Sequence, residues 1–429
     1  MLEALFKLKQ HNTTVKTELL AGLTTFITIA YIIFVNPQIL GTTGMDKNAV
    51  FVATCLAAAL GCLIMAFVAN WPVGLAPGMG LNAYFAFTVV AHMGYSWQQA
   101  LGAVFISGVL FILLTATGVR AWLIKGIPVS LRSAIVAGIG MFLALIAGES
   151  CGLVVENKAT LVTIGDLTSY PVLLALLGFF LIAILDYYRI KAAILIGILS
   201  ITLLSALLGL SEMPSQFVSM PPSIAPTFLQ LDVLGVLNKG IINVILVFVL
   251  VEVFDATGVL IGVAKRANLM PEGQPNRLGK ALFADSIAIL GGSLLGTSST
   301  TSYTESIAGA QAGGRTGLTA VVIAVLFLLA LFFAPIASII PPYATAPALL
   351  FVATLMLREF VEINWLESTE SIPAVLTVLM MPFTYSIAEG IGIGFISYVI
   401  LNVCTGKFKQ IHPATICVAA LFVLRYTLE

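Results

Sequence analysis

The chain has 429 residues, 59% of them hydrophobic and only 9% charged; soluble domains carry roughly 25% charged residues, so a water-soluble fold of this length is excluded. Twenty basic and twenty acidic residues leave a formal net charge of zero, which removes the electrostatic case for a nucleic-acid partner. His11, His92 and His412 are scattered and the five cysteines form no CxxC pair, so neither a metal nor a cofactor is expected.

Lys7, Lys9 and Lys16 precede a long apolar run that carries on as a spanning helix, so no cleavable signal is expected. Spanning segments read near 18–38, 49–69, 76–92, 98–118, 132–148, 171–187 and 191–209. A polar stretch with Pro214, Pro221, Pro222 and Pro226 follows. A second set runs near 239–262, 280–296, 303–313, 317–340, 345–357, 371–382 and 385–404, and a last apolar run covers 414–427. Most of these runs are long enough to cross a bilayer, which takes about 17–25 residues. The cysteines mostly sit inside them, as small buried hydrophobes.

Charge placement tests the map. With the N-terminus inside and the segments alternating, Arg120, Lys125, Arg132, Arg189, Lys191, Lys265, Arg266, Arg277, Lys280, Arg315, Arg358, Lys407 and Lys409 all fall on the cytoplasmic side. Only Lys47, Lys158 and Lys239 fall outside before the last run with Arg425. The expectation is a cytoplasmic N-terminus.

Seven segments precede the linker and seven follow it, so the second half enters with opposite orientation, the parity of an inverted repeat. The expected organisation is a first repeat over 1–209, an extracytoplasmic linker over 210–238, a second repeat over 239–404 and a C-terminal segment over 405–429. The fold class is an all-α polytopic membrane protein of about 14 spans.

The third segment of each half is unlike a membrane helix. One reads Pro72-Val-Gly-Leu-Ala-Pro-Gly-Met-Gly-Leu-Asn-Ala-Tyr-Phe85 and the other Gly291-Gly-Ser-Leu-Leu-Gly-Thr-Ser-Ser-Thr-Thr-Ser-Tyr-Thr-Glu305. Gly and Pro weaken helix, and Thr favours extended backbone. Such backbone is tolerated at membrane depth only where protein or a cavity satisfies it. Each is predicted to be extended and then helical, over about 74–80 then 81–92, and about 297–302 then 303–313. Two half-helix N-termini then face a shared midplane cavity. Two Gly-rich packing helices would be the plain alternative, but the matched rank in both halves argues against it.

Intramembrane carboxylates are costly and mark function by default. Glu252 and Asp255 lie three apart on one helix face. Glu305 falls in the first turn of the second half-helix, and Asp285 nearer the cytoplasmic end of its segment, where pairing or capping suffices to explain it. No Lys or Arg lies within these stretches, so the carboxylates read as ready to take up a proton, which suits proton coupling. Asn82 offers both a donor and an acceptor, the carboxylates accept N–H groups, and Tyr84, Phe85, Phe254 and Tyr303 can stack on a flat ring. These residues reach as far as a transporter with an acidic site for a neutral solute. An anion carrier would want a basic or neutral pocket. An enzyme would want a nucleophile–base pair or metal ligands, and the spans contain no such motif.

The chain resembles the adenine/guanine/hypoxanthine permeases, a branch of the nucleobase/ascorbate transporter superfamily, along nearly its whole length. The resemblance rests on Thr24-Thr-Phe-Ile-Thr-Ile-Ala-Tyr-Ile-Ile-Phe-Val-Asn-Pro37, Pro77-Gly-Met-Gly-Leu-Asn-Ala-Tyr-Phe85, Phe254-Asp-Ala-Thr-Gly258, Gly296-Thr-Ser-Ser-Thr-Thr-Ser-Tyr-Thr-Glu-Ser306, Gly313-Gly-Arg-Thr-Gly-Leu-Thr319 and Tyr343-Ala-Thr-Ala-Pro-Ala348. It implies a seven-plus-seven inverted repeat. Spans one to four and eight to eleven form a core domain, and the remaining spans form a gate domain. It places substrate between the two broken segments and the first helix of the second half, at Asn82, Glu252, Asp255 and Glu305, with backbone near Ala83 and Ser302 or Tyr303 beside the base. The position of Glu252 varies in the family, so its role is the less fixed.

Asn36-Pro-Gln-Ile-Leu-Gly41, Ile127-Pro-Val-Ser-Leu-Arg132 and Met380-Met-Pro-Phe-Thr-Tyr-Ser-Ile-Ala-Glu-Gly390 look most like bacterial adenine permeases; hypoxanthine/guanine permeases share much of this. The expected function is elevator-type, proton-coupled uptake of purine nucleobases, adenine foremost, in a bacterial cytoplasmic membrane. Asp255 or Glu305 would carry the proton, and Glu252, Asn82 and Tyr84 would hold the base. The resemblance leaves a homodimer open.

Overall fold

A computed structural model describes residues 2–428 apart from 214–215, 239–241, 267–268 and 270–276. Pro214, Lys239 and the start of the segment expected at 239–262 lie outside the described residues, as do the side chains of Lys125, Phe254 and Arg266.

In the first half, α1 (Leu2–Phe6) precedes α2 (Val15–Ile29) and α3 (Ile32–Gly41). Next, α4 (Lys47–Ile64) runs on as a π-helix to Ala69, β1 (Leu75–Pro77) is extended, and α5 (Met79–Ala83) runs on as a π-helix to His92. Then come α6 (Trp97–Ala116), α7 (Val119–Gly126), α8 (Val129–Cys151), the hairpin β2 (Val154–Asn157) and β3 (Leu161–Ile164), α9 (Tyr170–Tyr187) and α10 (Ala193–Leu207). The second half holds α11 (Val233–Asn238), α12 (Ile242–Arg266), α13 (Leu278–Leu295), β4 (Thr300–Ser302), α14 (Ser306–Gln311), α15 (Gly317–Ala330) and α16 (Ala334–Ser338). It ends with α17 (Pro342–Met356), α18 (Ser368–Phe383), α19 (Ile387–Cys404) and α20 (Pro413–Leu428).

Ten helices among the described residues are long and apolar enough to cross a membrane. The other expected segments correspond to the two interrupted ones and to the shorter apolar helices α10 and α18. The run 414–427 is helical as α20, packed on α19 and α7. Polar residues set the helix starts. Asp46 Oδ1 accepts from Ala49 N at the head of α4, and Ser96 and Gln99 form a capping box at the head of α6.

Packing sorts the helices into two bodies. α2, α4, α6, α12, α13 and α15 pack on one another around the interrupted segments, while α8, α9, α10, α17, α18 and α19 form a second group. This is the core-and-gate division expected from the resemblance. α8 approaches α5 and α12 across the boundary between them.

The first span departs from a straight helix. α2 gives way to α3 at Ala30–Tyr31, and Pro37 lies inside α3, where its missing N–H removes one rung of the ladder. The other end of α2 is anchored by Glu18, which is fully buried. Its Oε1 accepts from Arg315 N at 2.9 Å, and its Oε2 accepts from Thr319 N at 3.2 Å and Thr319 Oγ1 at 2.6 Å. One carboxylate therefore serves the free N–H groups where α15 begins and ties the first span of one half to the fourth of the other. Glu18→Ala is expected to cost roughly 1.5–3 kcal/mol, read as a lower melting temperature of the purified protein in detergent; unchanged melting would show that water replaces the carboxylate at no cost.

Candidate functional site

The two interrupted segments meet as a two-stranded antiparallel sheet. Leu75 pairs with Ser302, Ala76 with Thr301 and Pro77 with Thr300. Further backbone bonds extend the crossing, from Gly78 N to Ser299 O at 2.9 Å and from Tyr303 N to Gly74 O at 3.0 Å. Residues 297–302 are all buried, and strand pairing is how extended backbone is satisfied there.

Side chains complete the crossing. Cys62 Sγ accepts from Leu75 N at 3.2 Å and donates to Leu75 O at 3.4 Å. Asn36 Nδ2 donates to Thr54 Oγ1 at 2.7 Å and to Thr297 Oγ1 at 2.9 Å. Ser302 donates from N at 2.9 Å and from Oγ at 2.7 Å to Asp285 Oδ1. Tyr303 Oη donates to Pro77 O at 2.5 Å. Glycine permits the close approach: a Cβ on Gly78 would lie 2.7 Å from Thr301 Cγ2, and one on Gly80 would lie 2.8 Å from Ile139 Cγ2 of α8.

The first half-helix runs from Met79 to His92, close to the expected 81–92, but the second is shorter than the sequence suggests. α14 holds six residues rather than the eleven of 303–313, because Gly313 takes a positive φ of 107° and the chain leaves the helix before it. Glu305 is the N-cap residue of α14, not a member of its first turn, and makes no capping hydrogen bond there. So short a helix builds little macrodipole, and the crossing acts mainly by positioning side chains.

Asn82, Ala83, Tyr84, Glu252, Ser302 and Tyr303 are buried, whereas Asp255 and Glu305 are partly exposed. Asn82 Oδ1 accepts from Ser298 Oγ, joining the two interrupted segments, and its Nδ2 has no partner in the protein. Tyr84 stacks edge-on against Phe248 of α12, with ring centroids 4.9 Å apart. Glu305 Oε1 accepts from Tyr31 Oη at 2.8 Å, and Glu305 and Asp255 are within electrostatic reach of each other. Asp255 lines a cavity of about 480 Å³ together with Thr304, Ile307, Gly258, Arg132 and Glu359. It also lines a hollow of about 20 Å³ beside Gly80, Leu81 and Ile139. The larger volume falls within the range of small-molecule pockets, roughly 300–1,000 Å³.

Glu252 and Asp255 part company despite their spacing. Asp255 faces the cavities, but Glu252 points toward α6, where Ser107 Oγ lies 3.4 Å from its Oε1, and it borders neither cavity. Three steps along a helix is 300°, so such neighbours share a face only broadly. The sequence reading also left out Arg120. Hydropathy puts it in a cytoplasmic loop, yet it is 1% exposed and lies within electrostatic reach of Asp285 and Glu252. The carboxylates of α12 and α13 therefore do have a buried cation nearby, contrary to the expectation from the spans alone. Tyr31 was also missed, although it sits in a stretch that carries the family resemblance. Gly78→Val should overpack the crossing by roughly 1–3 kcal/mol, read as a lower melting temperature together with weaker ligand binding; a folded variant with unchanged melting would show that the strands separate freely.

The Permease family model matches residues 16–393. The chain is 50% identical over 426 residues to the adenine permease AdeP of Escherichia coli (strain K12), covering 99% of this chain and 96% of that protein. It is 44% identical over 436 residues to the guanine/hypoxanthine permease PbuG of Bacillus subtilis (strain 168), covering 99% of each. Among solved structures, the transmembrane domain of a cyanobacterial bicarbonate transporter, BicA, superposes with a TM-score of 0.63 at 18% identity, over 89% of this chain and 97% of that one. The murine anion transporter Slc26a9 in its inward-facing state gives 0.64 at 11% identity, over 92% of this chain and 69% of that one; at these identities the likeness shows a shared fold. With family and relatives matched along nearly its full length, the chain belongs to the Permease family of integral membrane transporters and is not an enzyme.

Proposed function

We propose that the protein takes up purine nucleobases, adenine foremost, together with protons, by movement of the core body against the gate body. Relatives at 50% and 44% identity are an adenine permease and a guanine/hypoxanthine permease, and identity of that order over whole chains supports a shared substrate class. The observation that carries the site assignment is Asp255, which stands on a core helix beside the strand crossing and forms part of a cavity wall whose other side is Arg132 and Ser133 of α8.

In this reading the base enters beside Asp255 and meets Glu305 and Thr304. A flat, neutral heterocycle with N–H groups on its edge suits carboxylate acceptors, while an anion would be repelled by them. Asn82, Ala83, Tyr84, Ser302 and Tyr303 shape the wall behind, and the free Nδ2 of Asn82 is the donor nearest the strand crossing on the first half-helix. The proton is carried by Asp255 or Glu305, because a carboxylate at membrane depth is better tolerated neutral. Protonation and base binding then stabilise one another. The cavity wall includes exposed Lys265 and partly exposed Arg132. Positive-inside counting makes that end cytoplasmic, so the arrangement is an inward-facing state with a cytoplasmic N-terminus.

Radiolabelled adenine uptake by cells lacking their own purine carriers, with and without a protonophore, tests the reading. Uptake should collapse when the proton gradient is dissipated, and uptake indifferent to the protonophore removes proton coupling. Asp255→Asn should lower uptake by roughly 10²-fold or more, the scale of losing a charge-assisted hydrogen bond of about 3 kcal/mol at a desolvated site. Full transport by a folded Asp255→Asn protein would remove this residue from the site.

A further inference from the structure

Arg425 is the only charged residue in α20 (Pro413–Leu428), and its side chain is 4% exposed. Its Nη2 lies 2.5 Å from Glu389 Oε1, forming an ion pair, and Tyr426 Oη donates to Glu389 Oε2 at 2.6 Å. Glu389 is the third residue of α19. One turn further along α19, Gly392 lets the two helices come close: a Cβ there would lie 2.7 Å from both Phe422 Cδ1 and Tyr426 Oη. At its other end α20 meets α7, the arm that joins α6 of the core body to α8 of the gate body. Thr415 Oγ1 donates to Gly126 O at 2.7 Å. A Cβ on Gly126 would overlap His412 Nδ1, and the His412 ring sits 5.4 Å from that of Trp122 in α7.

These contacts make α20 antiparallel to α19. Phe422, Arg425 and Tyr426 in its last turns meet Glu389 and Gly392 at the head of α19, while its start follows the stretch 405–412 that leaves the far end of α19. At 1.5 Å per residue its 16 residues cover about 24 Å, against about 27 Å for the 18 residues of α19, and α19 is long and apolar enough to cross a membrane. A helix lying in the membrane surface turns its charged face to water and its apolar face inward. α20 does the reverse: Arg425 is buried, whereas Ile416, Leu421, Val423 and Leu424 are exposed. An arginine about 18 Å along an apolar helix is tolerated where it meets a carboxylate inside the protein. We propose that α20 crosses the membrane as a further span antiparallel to α19, that the Glu389–Arg425 pair fastens it to the gate body, and that it straps the tail of the arm α7 to that body. The head of the arm belongs to the core, since Arg120 Nε donates to Thr257 Oγ1 of α12 at 3.1 Å and Nη1 to Leu282 O of α13 at 3.3 Å. The joint between the two bodies therefore lies within α7, between Arg120 and Gly126. That the bodies move rests on the reading under Proposed function; the span and the strap do not.

Labelling with a maleimide that cannot cross membranes tests the span. The exposed Cys404 and Cys417 are replaced by serine and the three buried cysteines kept; one cysteine is then introduced as Lys409→Cys or in a short tag appended after the last residue. The two positions should be reached from opposite sides of the membrane, and labelling of both from one side would overturn the span. Which of them is reached in intact cells tests the cytoplasmic N-terminus separately. Melting temperatures of Glu389→Gln, Arg425→Gln and the double variant test the fastening. Glu389→Gln leaves a buried cation unbalanced, so the double variant should melt above it; a double variant no more stable than that single one would show that the pair does not hold α20. Hydrogen–deuterium exchange over residues 119–127 tests the strap. Thr415→Val should speed exchange there by roughly fivefold, the scale of one lost hydrogen bond, and Thr415→Ser should restore the wild-type rate. Unchanged exchange in Thr415→Val would overturn the strap. None of these measurements involves a purine, so a wrong substrate leaves them standing.

Discussion

Extended backbone inside a membrane must find hydrogen-bond partners within the protein, and the architecture follows from how this chain meets that demand. Neither interrupted segment could exist alone. Residues 75–77 and 300–302 satisfy each other, with Gly74, Gly78, Ser299 and Tyr303 extending the ladder by backbone bonds and Cys62, Asn36 and Asp285 closing it from the sides. A cysteine used this way is a structural hydrogen-bonding group, and a buried asparagine that bridges Thr54 and Thr297 is a cross-brace between halves. The inverted repeat supplies the condition that makes this possible, since only opposite orientation brings equivalent extended segments together antiparallel.

The crossing also divides the acidic residues by their surroundings. Asp255 and Glu305 lie where the wall is open, and Tyr31 holds Glu305 in place. Glu252 and Asp285 are fully buried, within electrostatic reach of Arg120. A carboxylate at membrane depth costs free energy in each setting, and the surroundings differ: fixed donors and a distant cation around Asp285, and an open wall around Asp255.

The same contacts form the boundary between the two bodies. Gly80 of α5 faces Ile139 of α8 with no room for a side chain, and Asp255 shares both cavities with residues of the α8 surface. Beside the site the bodies therefore meet partly through small and branched apolar side chains, with Arg132, Ser133 and Glu359 on the wall of the larger cavity, a boundary compatible with the proposed movement.

Much of this was legible in the residues. Hydropathy located the membrane segments because a bilayer demands long apolar runs, and the Gly/Pro-rich 72–85 and Ser/Thr-rich 291–305 announced non-helical backbone because those residue types disfavour helix. What composition and spacing left open were partners distant in sequence. Nothing local says that Arg120 turns inward rather than to water, because a single arginine after an apolar run fits a loop equally well. Nothing local separates Glu252 from Asp255, because the face each presents depends on which neighbour, α6 or the cavity, lies opposite. Likewise, the length of α14 was decided by where Gly313 could turn against α2. The sequence determined the number and kind of elements and the chemical types gathered in them; the tertiary structure decided which charges meet, since Coulomb and desolvation energies depend on distances and burial that a linear pattern does not contain.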